Sequence, residues 1–392
     1  MSTRVPDRSA SVPLREVLVE WGRIGCLGFG GPPAHIAMLR ELCVDEKQWL
    51  TEEYFEDAIA TCNLLPGPAS TQLSILCAWS VAGLPGAIVG GLAFILPGLA
   101  AIIALAALFL ADAPPEWIVA AGAGASSALA VVALHAGWSL VPASWRRTRS
   151  RPRWALYVAA GILAAVFAGP WIVVVLLACG VAETTLRRIQ GSSLASLSPT
   201  VVMGMVLATD GARASVQGSL VWTALKVGAL SYGGGFVIIP LMFDDAVTRF
   251  GWMNGAQFLD AVVLGQVTPG PVVHTVSAVG YAASGVPGAL VAAIVAFAPS
   301  FLFIGAGARH FDRLRTNGTV RSFLDGTGPA AIGAIVGVAV PLMMALSHGW
   351  QFVLATLAAV AMFVLRRGVL PTLTVMALLG VLLTWFDAPL PG

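Results

Sequence analysis

Residues 64–72 read LLPGPASTQ, in the middle of the apolar segment Ala58–Val81. That segment is long enough to be a buried helix, yet Pro66, Gly67 and Pro68 interrupt it. Proline inside a helix removes a hydrogen bond and clashes with the preceding turn, at a cost of about 3 kcal/mol. In lipid the freed backbone groups have no water to bond instead. The same interruption returns at Pro269, Gly270 and Pro271, in VTPGPVVHT. A costly feature that occurs twice needs a physical reason.

The surrounding composition is that of a membrane protein. Of 392 residues, 57% are hydrophobic and 11% are charged, against about 25% charged in an ordinary soluble domain. Apolar runs of spanning length recur, as in Gly86–Leu110, Trp117–Val141 and Pro287–Gly307. The pattern predicts an all-α polytopic membrane protein with 10 to 13 crossings. A transmembrane barrel would show short alternating segments instead. Five arginines crowd Trp145–Arg153, and a second basic cluster spans Arg309–Arg321. Both read as cytoplasmic loops under the positive-inside rule, and topology explains them without nucleic acid. The five cysteines show no CxxC spacing and read as packing residues. The polar residues 1–13 and the charges Arg15, Glu16, Glu20 and Arg23 argue against a cleavable signal peptide.

Sliding the chain on itself by 203 residues superimposes Gly25 on Gly228, Gly30 on Gly233 and Gly31 on Gly234. Trp49 then meets Trp252, Asp57 meets Asp260, and Pro66–Gly67–Pro68 meets Pro269–Gly270–Pro271. One deletion later Pro97 meets Pro299. The chain therefore reads as two copies of one unit. A polar tail occupies 1–13, a first repeat 14–183, a linker 184–217 and a second repeat 218–386. Each repeat opens with two interrupted segments, broken first at GFGGPP (28–33) or SYGGGF (231–236) and then at PGP. If both basic loops are cytoplasmic, equivalent helices run in opposite directions, and the repeats are inverted. Inverted repeats with broken helices are a transporter pattern.

Non-helical backbone at membrane depth survives where protein or a water-filled cavity surrounds it. Four matched breaks are expected to converge near the pseudo-two-fold axis. Each would end one half-helix and start another, whose N-terminus carries free N–H groups and roughly +0.5 charge. Such ends, at Gly30, Gly31, Pro66, Gly67, Pro68, Gly233, Gly234, Gly235, Pro269, Gly270 and Pro271, suit an anion. The plain alternative is kinks for helix packing. Arg23 and Lys226 are repeat equivalents, each seven residues before a glycine break. Seven residues is about 10 Å along one helix face. Two cations from related helices match a compact dianion, although Arg23 could pair with Glu20 and either could snorkel. Ser70, Thr71 and Gln72 follow the first PGP, and His274, Thr275 and Ser277 follow the second; their side chains can donate to oxyanion oxygens or join helices. His35, His274, Asp57 and Asp260 are the proton-coupling candidates. For the two aspartates, helix N-terminal caps or interface anchors are the plainer roles. Neither a metal-ligand spacing nor a catalytic motif such as HExxH or GxSxG is present, so no metal, cofactor or enzyme activity is expected.

The stretches GFGGPPAHIAML (28–39), LLPGPASTQ (64–72), SYGGGFVIIPLM (231–242) and GQVTPGPVVHT (265–275) resemble the chromate ion transporter family in its long, two-domain form. The resemblance covers essentially the whole chain after residue 13. It implies a multi-pass bacterial inner-membrane exporter with a cytoplasmic N-terminus, conferring chromate resistance by proton-coupled exchange. The implied partners are chromate, sulfate as an isosteric competitor, protons and the lipid bilayer, with a homodimer as the assembly to test and no nucleic acid. The family's motif positions fall on the GG and PGP residues above; where the second repeat keeps Gly235, the first has Pro32–Pro33. A sulfate or other oxyanion carrier is the nearest rival reading. An intramembrane enzyme or a non-transporting scaffold are rivals of other classes.

Overall fold

The computed structural model describes residues 12–62, 65, 67–111, 113–168, 172–189, 215–231, 238–307 and 317–390. Pro66, Gly233, Gly234, Gly235 and most of the 184–217 linker lie outside the described residues. The described residues form helices and no strand. In chain order these are α1 (Leu14–Leu27), α2 (Pro32–Arg40), α3 (Glu52–Cys62), α4 (Ala69–Phe109), α5 (Glu116–Ser127), α6 (Leu129–Arg147), α7 (Arg151–Leu163) and α8 (Ile172–Ile189). The second half contributes α9 (Val216–Leu230), α10 (Ile239–Phe243), α11 (Gly255–Val267), α12 (Thr275–Gly307), α13 (Gly318–Gly337), α14 (Ala339–Met344), α15 (Gly349–Ala359) and α16 (Val369–Thr384). Among the described residues four helical stretches are long and apolar enough to cross a membrane: Ala69–Phe109, Glu116–Arg146, Val272–Gly307 and Gly318–Met344. The all-α polytopic membrane fold expected from the composition is the fold observed.

The interrupted segments do not cross. α1 has 14 residues, α3 has 11, α9 has 15 and α11 has 13. At 1.5 Å per residue these are about 17–22 Å long, short of the roughly 30 Å hydrocarbon core. In the first half the chain reverses at each break. Lys47, beyond α2, reaches back to Glu16 and Glu20 on α1, at 2.7 and 3.4 Å. Tyr54 on α3 shares a 2.7 Å hydrogen bond with Ser80 on α4, and the Val12 N–H donates to the Val81 carbonyl. α1–α2 and α3 with the first part of α4 are therefore helical hairpins with a break at each tip. In the second half Asp245, just after α10, is paired with Lys226 on α9, and α11 returns through the second PGP into α12.

α4 and α12 each bend at a matched place, at Ala82–Gly83 and at Ser284–Gly285. Gly83 (φ 66°) and Gly285 (φ 63°), each two residues ahead of a proline, Pro85 and Pro287, adopt the positive-φ conformation that these bends require. Beyond the bends the two helices run antiparallel. Leu84 lies beside Gly305, and a Cβ placed on Gly91 would come within 2.5 Å of the Phe301 ring.

The remaining helices exchange partners between halves. α7 and α8 pack on α13, and α16 packs on α5. Small residues make the close approach: Gly161 lies against the Ala330 carbonyl, Gly333 against Val158, and Gly124 against Gly380. A buried charge network reinforces the first contact. Glu183 of α8, 4% exposed, accepts from Arg187 at 2.7 Å and from the Tyr157 hydroxyl at 3.1 Å, and lies 3.3 Å from Arg153. Arg187 also reaches Asp325 of α13 at 2.8 Å. The network brings the start of α7, the end of α8 and the start of α13 to one side of the molecule, so Arg153 and Arg321, from the two basic clusters, share that side.

Because the Gly161 Cα faces a backbone carbonyl that cannot retreat, Gly161→Val forces α7 from α13 and should lower stability by about 1–3 kcal/mol or more. Thermal unfolding in detergent measures this. Gly349→Ala is the control, since nothing lies within 4 Å of a Cβ there, and it should leave the midpoint unchanged.

Candidate functional site

Each break prepares the backbone to meet another chain segment. Gly30 (φ 102°), Gly31 (φ 72°), Gly67 (φ 120°) and Gly270 (φ 88°) all adopt conformations that side chains disfavour. Proline follows or precedes each reversal and opens the next helix. Pro32 and Pro33 start α2, Pro68 caps α4, and Pro271 precedes the helical turn Val272–His274 that leads into α12. The half-helix starts expected at the breaks are thus present wherever the backbone is described.

The tips meet in pairs. The Gly67 N–H donates to the Ser231 carbonyl at 3.1 Å, and the Gly270 N–H donates to the Gly28 carbonyl at 2.9 Å. Gly67 and Gly270 are repeat equivalents, and so are Ser231 and Gly28. The second break of each half is therefore bonded to the first break of the other. These two N–H groups are engaged with protein carbonyls and do not point at a ligand, which narrows the donor set expected from the sequence.

At the Gly28–Gly270 junction the two buried histidines come together. His35, fully buried, sets Nε2 at 2.8 Å from the Gly28 carbonyl. That oxygen can only accept, so Nε2 donates to it, and Nδ1 is buried with no partner. His274 packs edge-on against Phe297, with centroids 5.2 Å apart, while His35 packs edge-on against Phe94 at 5.0 Å. The His274 ring lies against Gly98 and Gly270. It faces the Ile95 backbone without forming a well-shaped bond, and both its nitrogens are buried. A Cβ on Gly98 would collide with the Pro269 carbonyl and that ring. Gly98 is 14 residues beyond Leu84, about 21 Å along α4, and 11 before Phe109. The junction therefore sits near the middle of that helix.

At the Gly67–Ser231 junction Gln72 lies against Gly67, and the Gly228 carbonyl is close by. Ser70, Thr71 and Gln72 are all buried, at 2%, 0% and 0% exposure. On the helices that lead into and out of the two junctions several buried polar atoms have no hydrogen-bond partner: Thr71 Oγ1, Ser74 Oγ, Ser231 Oγ, Gln266 Nε2, Ser277 Oγ and Ser300 Oγ. Buried polar groups without partners are rare and call for a function. Ser74 escaped the sequence reading, although it is the repeat equivalent of Ser277. Thr275 is different, because its hydroxyl donates to the Val272 carbonyl at 2.8 Å and packs on Gly265.

The charged candidates divide. Arg23 is exposed on α1. Lys226 is 14% exposed and held by Asp245, with the Trp222 ring 5.9 Å from its ammonium. Asp245 was missed by sequence reasoning because it lies 19 residues further along the chain, beyond the first break of the second half. Asp57 and Asp260 are not helix caps, since both lie well inside α3 and α11; the cap of α11 is Asn254, in a capping box with Gln257. Asp260 projects from α11 onto α5, where Gly122 makes room for its carboxylate and the Ser126 hydroxyl lies 3.4 Å away. Asp57 is half-buried, beside the acidic stretch Thr51–Glu56. Among the described residues no group of histidine, cysteine and carboxylate side chains is arranged to hold a metal ion.

Comparison with known proteins adds the decisive observation. The sequence profile described as Chromate transporter matches twice, at residues 15–184 and 218–385. The chain belongs to the chromate transporter family. A chromate transport protein of Cupriavidus metallidurans is 31% identical over 84% of this chain and 82% of its own. A probable chromate transport protein of Synechococcus elongatus is 30% identical over 84% of each. An uncharacterized transporter of Methanocaldococcus jannaschii is 26% identical over 86% and 85%. No solved structure matches the chain.

The geometry gives His35 a clamping task that an amide can share and a methyl group cannot. His35→Gln should retain most chromate transport in membrane vesicles. His35→Ala should lose it, together with about 1–3 kcal/mol of stability from the weakened Gly28 carbonyl. Equal loss in both variants would point instead to the titrating ring.

Proposed function

We propose that this chain is a secondary active transporter that exports chromate across the bacterial plasma membrane by alternating access, coupled to protons, and so confers chromate resistance. The reading takes residues 14–183 and 218–386 as inverted repeats, with the N-terminus and both basic clusters on the cytoplasmic side. The observation that carries it is the reciprocal pairing of tips, Gly67 with Ser231 and Gly270 with Gly28. Hairpin tips that meet near the middle of antiparallel helices are what two oppositely entering repeats produce, and broken helices at the midplane are where transporters bind. Family membership supplies the substrate class.

In this reading the oxyanion is held by hydroxyl and amide donors of Ser70, Thr71, Gln72, Ser74 and Ser277 around the tips. Charge comes from Lys226, which lies five residues, about 7.5 Å, before Ser231 on α9. Arg23 takes the matching place on α1 and serves as an entry-side cation, consistent with its exposure. The glycines keep side chains out of the junctions. His274 and Asp260, both enclosed between helices of the two halves, are the proton carriers best placed among the four candidates; Asp57 is too open and His35 is committed to Gly28. Alternating access would rock the paired tips, with α4 and α12 as the elements between them.

A carrier for sulfate or another oxyanion is the second reading, because hydroxyl donors and one lysine favour tetrahedral dianions as a class. Chromate flux in proteoliposomes, with an imposed pH gradient and sulfate as competitor, separates the two. The expected result is gradient-dependent chromate movement that Lys226→Gln abolishes without loss of folded protein. Sulfate movement without chromate movement would replace the substrate. No flux of either anion would remove the transporter reading.

A further inference from the structure

The lysine assigned to the anion already has one. Asp245 lies in the π-helical turn Asp244–Arg249 that continues α10, a distortion frequent at functional sites. It is 1% exposed. Its Oδ2 accepts from both Lys226 Nζ and the Thr223 hydroxyl, the latter at 2.7 Å, while Oδ1 is buried with no partner. A buried carboxylate satisfied on one oxygen is poorly compensated, and it depends on Lys226 for its charge. The first half lacks the pair: Arg23 stands at the position of Lys226 and Leu42 at that of Asp245.

We propose that Asp245 is the internal counter-anion of Lys226, which the substrate oxyanion displaces, and that the displaced carboxylate takes up a proton. The inference rests on the reading of Lys226 as the anion's cation. Its chemistry is a proton transfer alone. Lys226 passes its N–H donors from Asp245 to the oxyanion, and a proton from water binds the freed carboxylate. Without that proton, loading a dianion would leave three negative charges beside one ammonium in a water-poor site. With it, two remain. Buried carboxylates without a partner protonate for this reason. Oxyanion and proton would therefore load at one place and in a fixed ratio.

The groups facing Asp245 allow this role. On α9 they are Lys226 and Thr223. On its own turn Asp244 and Arg249 are the neighbouring charges. α11 presents Phe258, packed on Phe243, and its one titratable residue, Asp260, faces Ser126 and Gly122 of α5 instead.

Equilibrium binding of radiolabelled chromate to the purified full chain tests the idea across the neutral pH range. Wild-type affinity should rise as pH falls, approaching about tenfold per pH unit for one linked proton. Asp245→Asn mimics the protonated residue, so it should bind about tenfold or more tightly at the alkaline end and lose that share of the slope. Protonation of chromate itself enters both proteins equally, and the difference in slope is the quantity read. Thr223→Val keeps every charge but removes one donor to Oδ2, so the rise in affinity should begin at higher pH; it serves if Asp245→Asn does not yield monodisperse protein. An Asp245→Asn protein with wild-type affinity and slope, or an unmoved Thr223→Val profile, overturns the proposal. Wild-type binding by Lys226→Gln would instead overturn the underlying assignment of Lys226.

Discussion

Two backbone hydrogen bonds, from Gly67 to Ser231 and from Gly270 to Gly28, carry the constraint on which the rest of this structure depends. A helix broken inside a membrane exposes donors and acceptors that lipid cannot satisfy, at several kcal/mol each. Here each broken helix is completed by a broken helix of the other half. At these two bonds the tips of the two halves satisfy one another's backbone. The bends of α4 and α12, the close glycine contacts and the exchange of α7–α8 and α16 between halves follow from holding the four tips together.

The two halves share this frame and differ in chemistry. Both tie the first helix of the half to the turn beyond the second. The first half does so near the hairpin mouth, through Lys47 to Glu16 and Glu20. The second does so closer to the tip, through Lys226 to Asp245. The histidines gather at one junction, while serine and the Gln72 amide gather at the other. The repeat thus supplies the shared frame, and the departures from it supply the groups that the proposed coupling would use.

Much of this was legible in the sequence, because proline and glycine breaks are local. The 203-residue repeat, the matched PGP motifs and the start of a new helix after each break all follow from residue types at short range. The pairing of tips was not legible, since nothing local to Gly67 names Ser231 as its acceptor. The same holds for the site. The equivalence of Arg23 and Lys226 could be read from spacing, but the carboxylate that holds Lys226 is brought there by a reversal of the chain. Asp57 and Asp260 looked like caps because they open apolar segments, yet the helices begin earlier, at Glu52 and Gly255. In the second case the Asn254–Gln257 capping box was the signal to follow. Ser74 needed only the repeat register to be found beside Ser277.

The central claim is that the hairpins of the two halves enter from opposite faces and meet between them. The most direct test is sidedness of labelling with a membrane-impermeant thiol reagent. Glu46→Cys and Thr248→Cys place exposed thiols just beyond α2 and α10, in a Cys26→Ser background that removes the exposed native thiol. The account predicts that the two positions react from opposite sides of the membrane, Glu46→Cys in inverted vesicles and Thr248→Cys in intact cells. Reaction of both from the same side would contradict it.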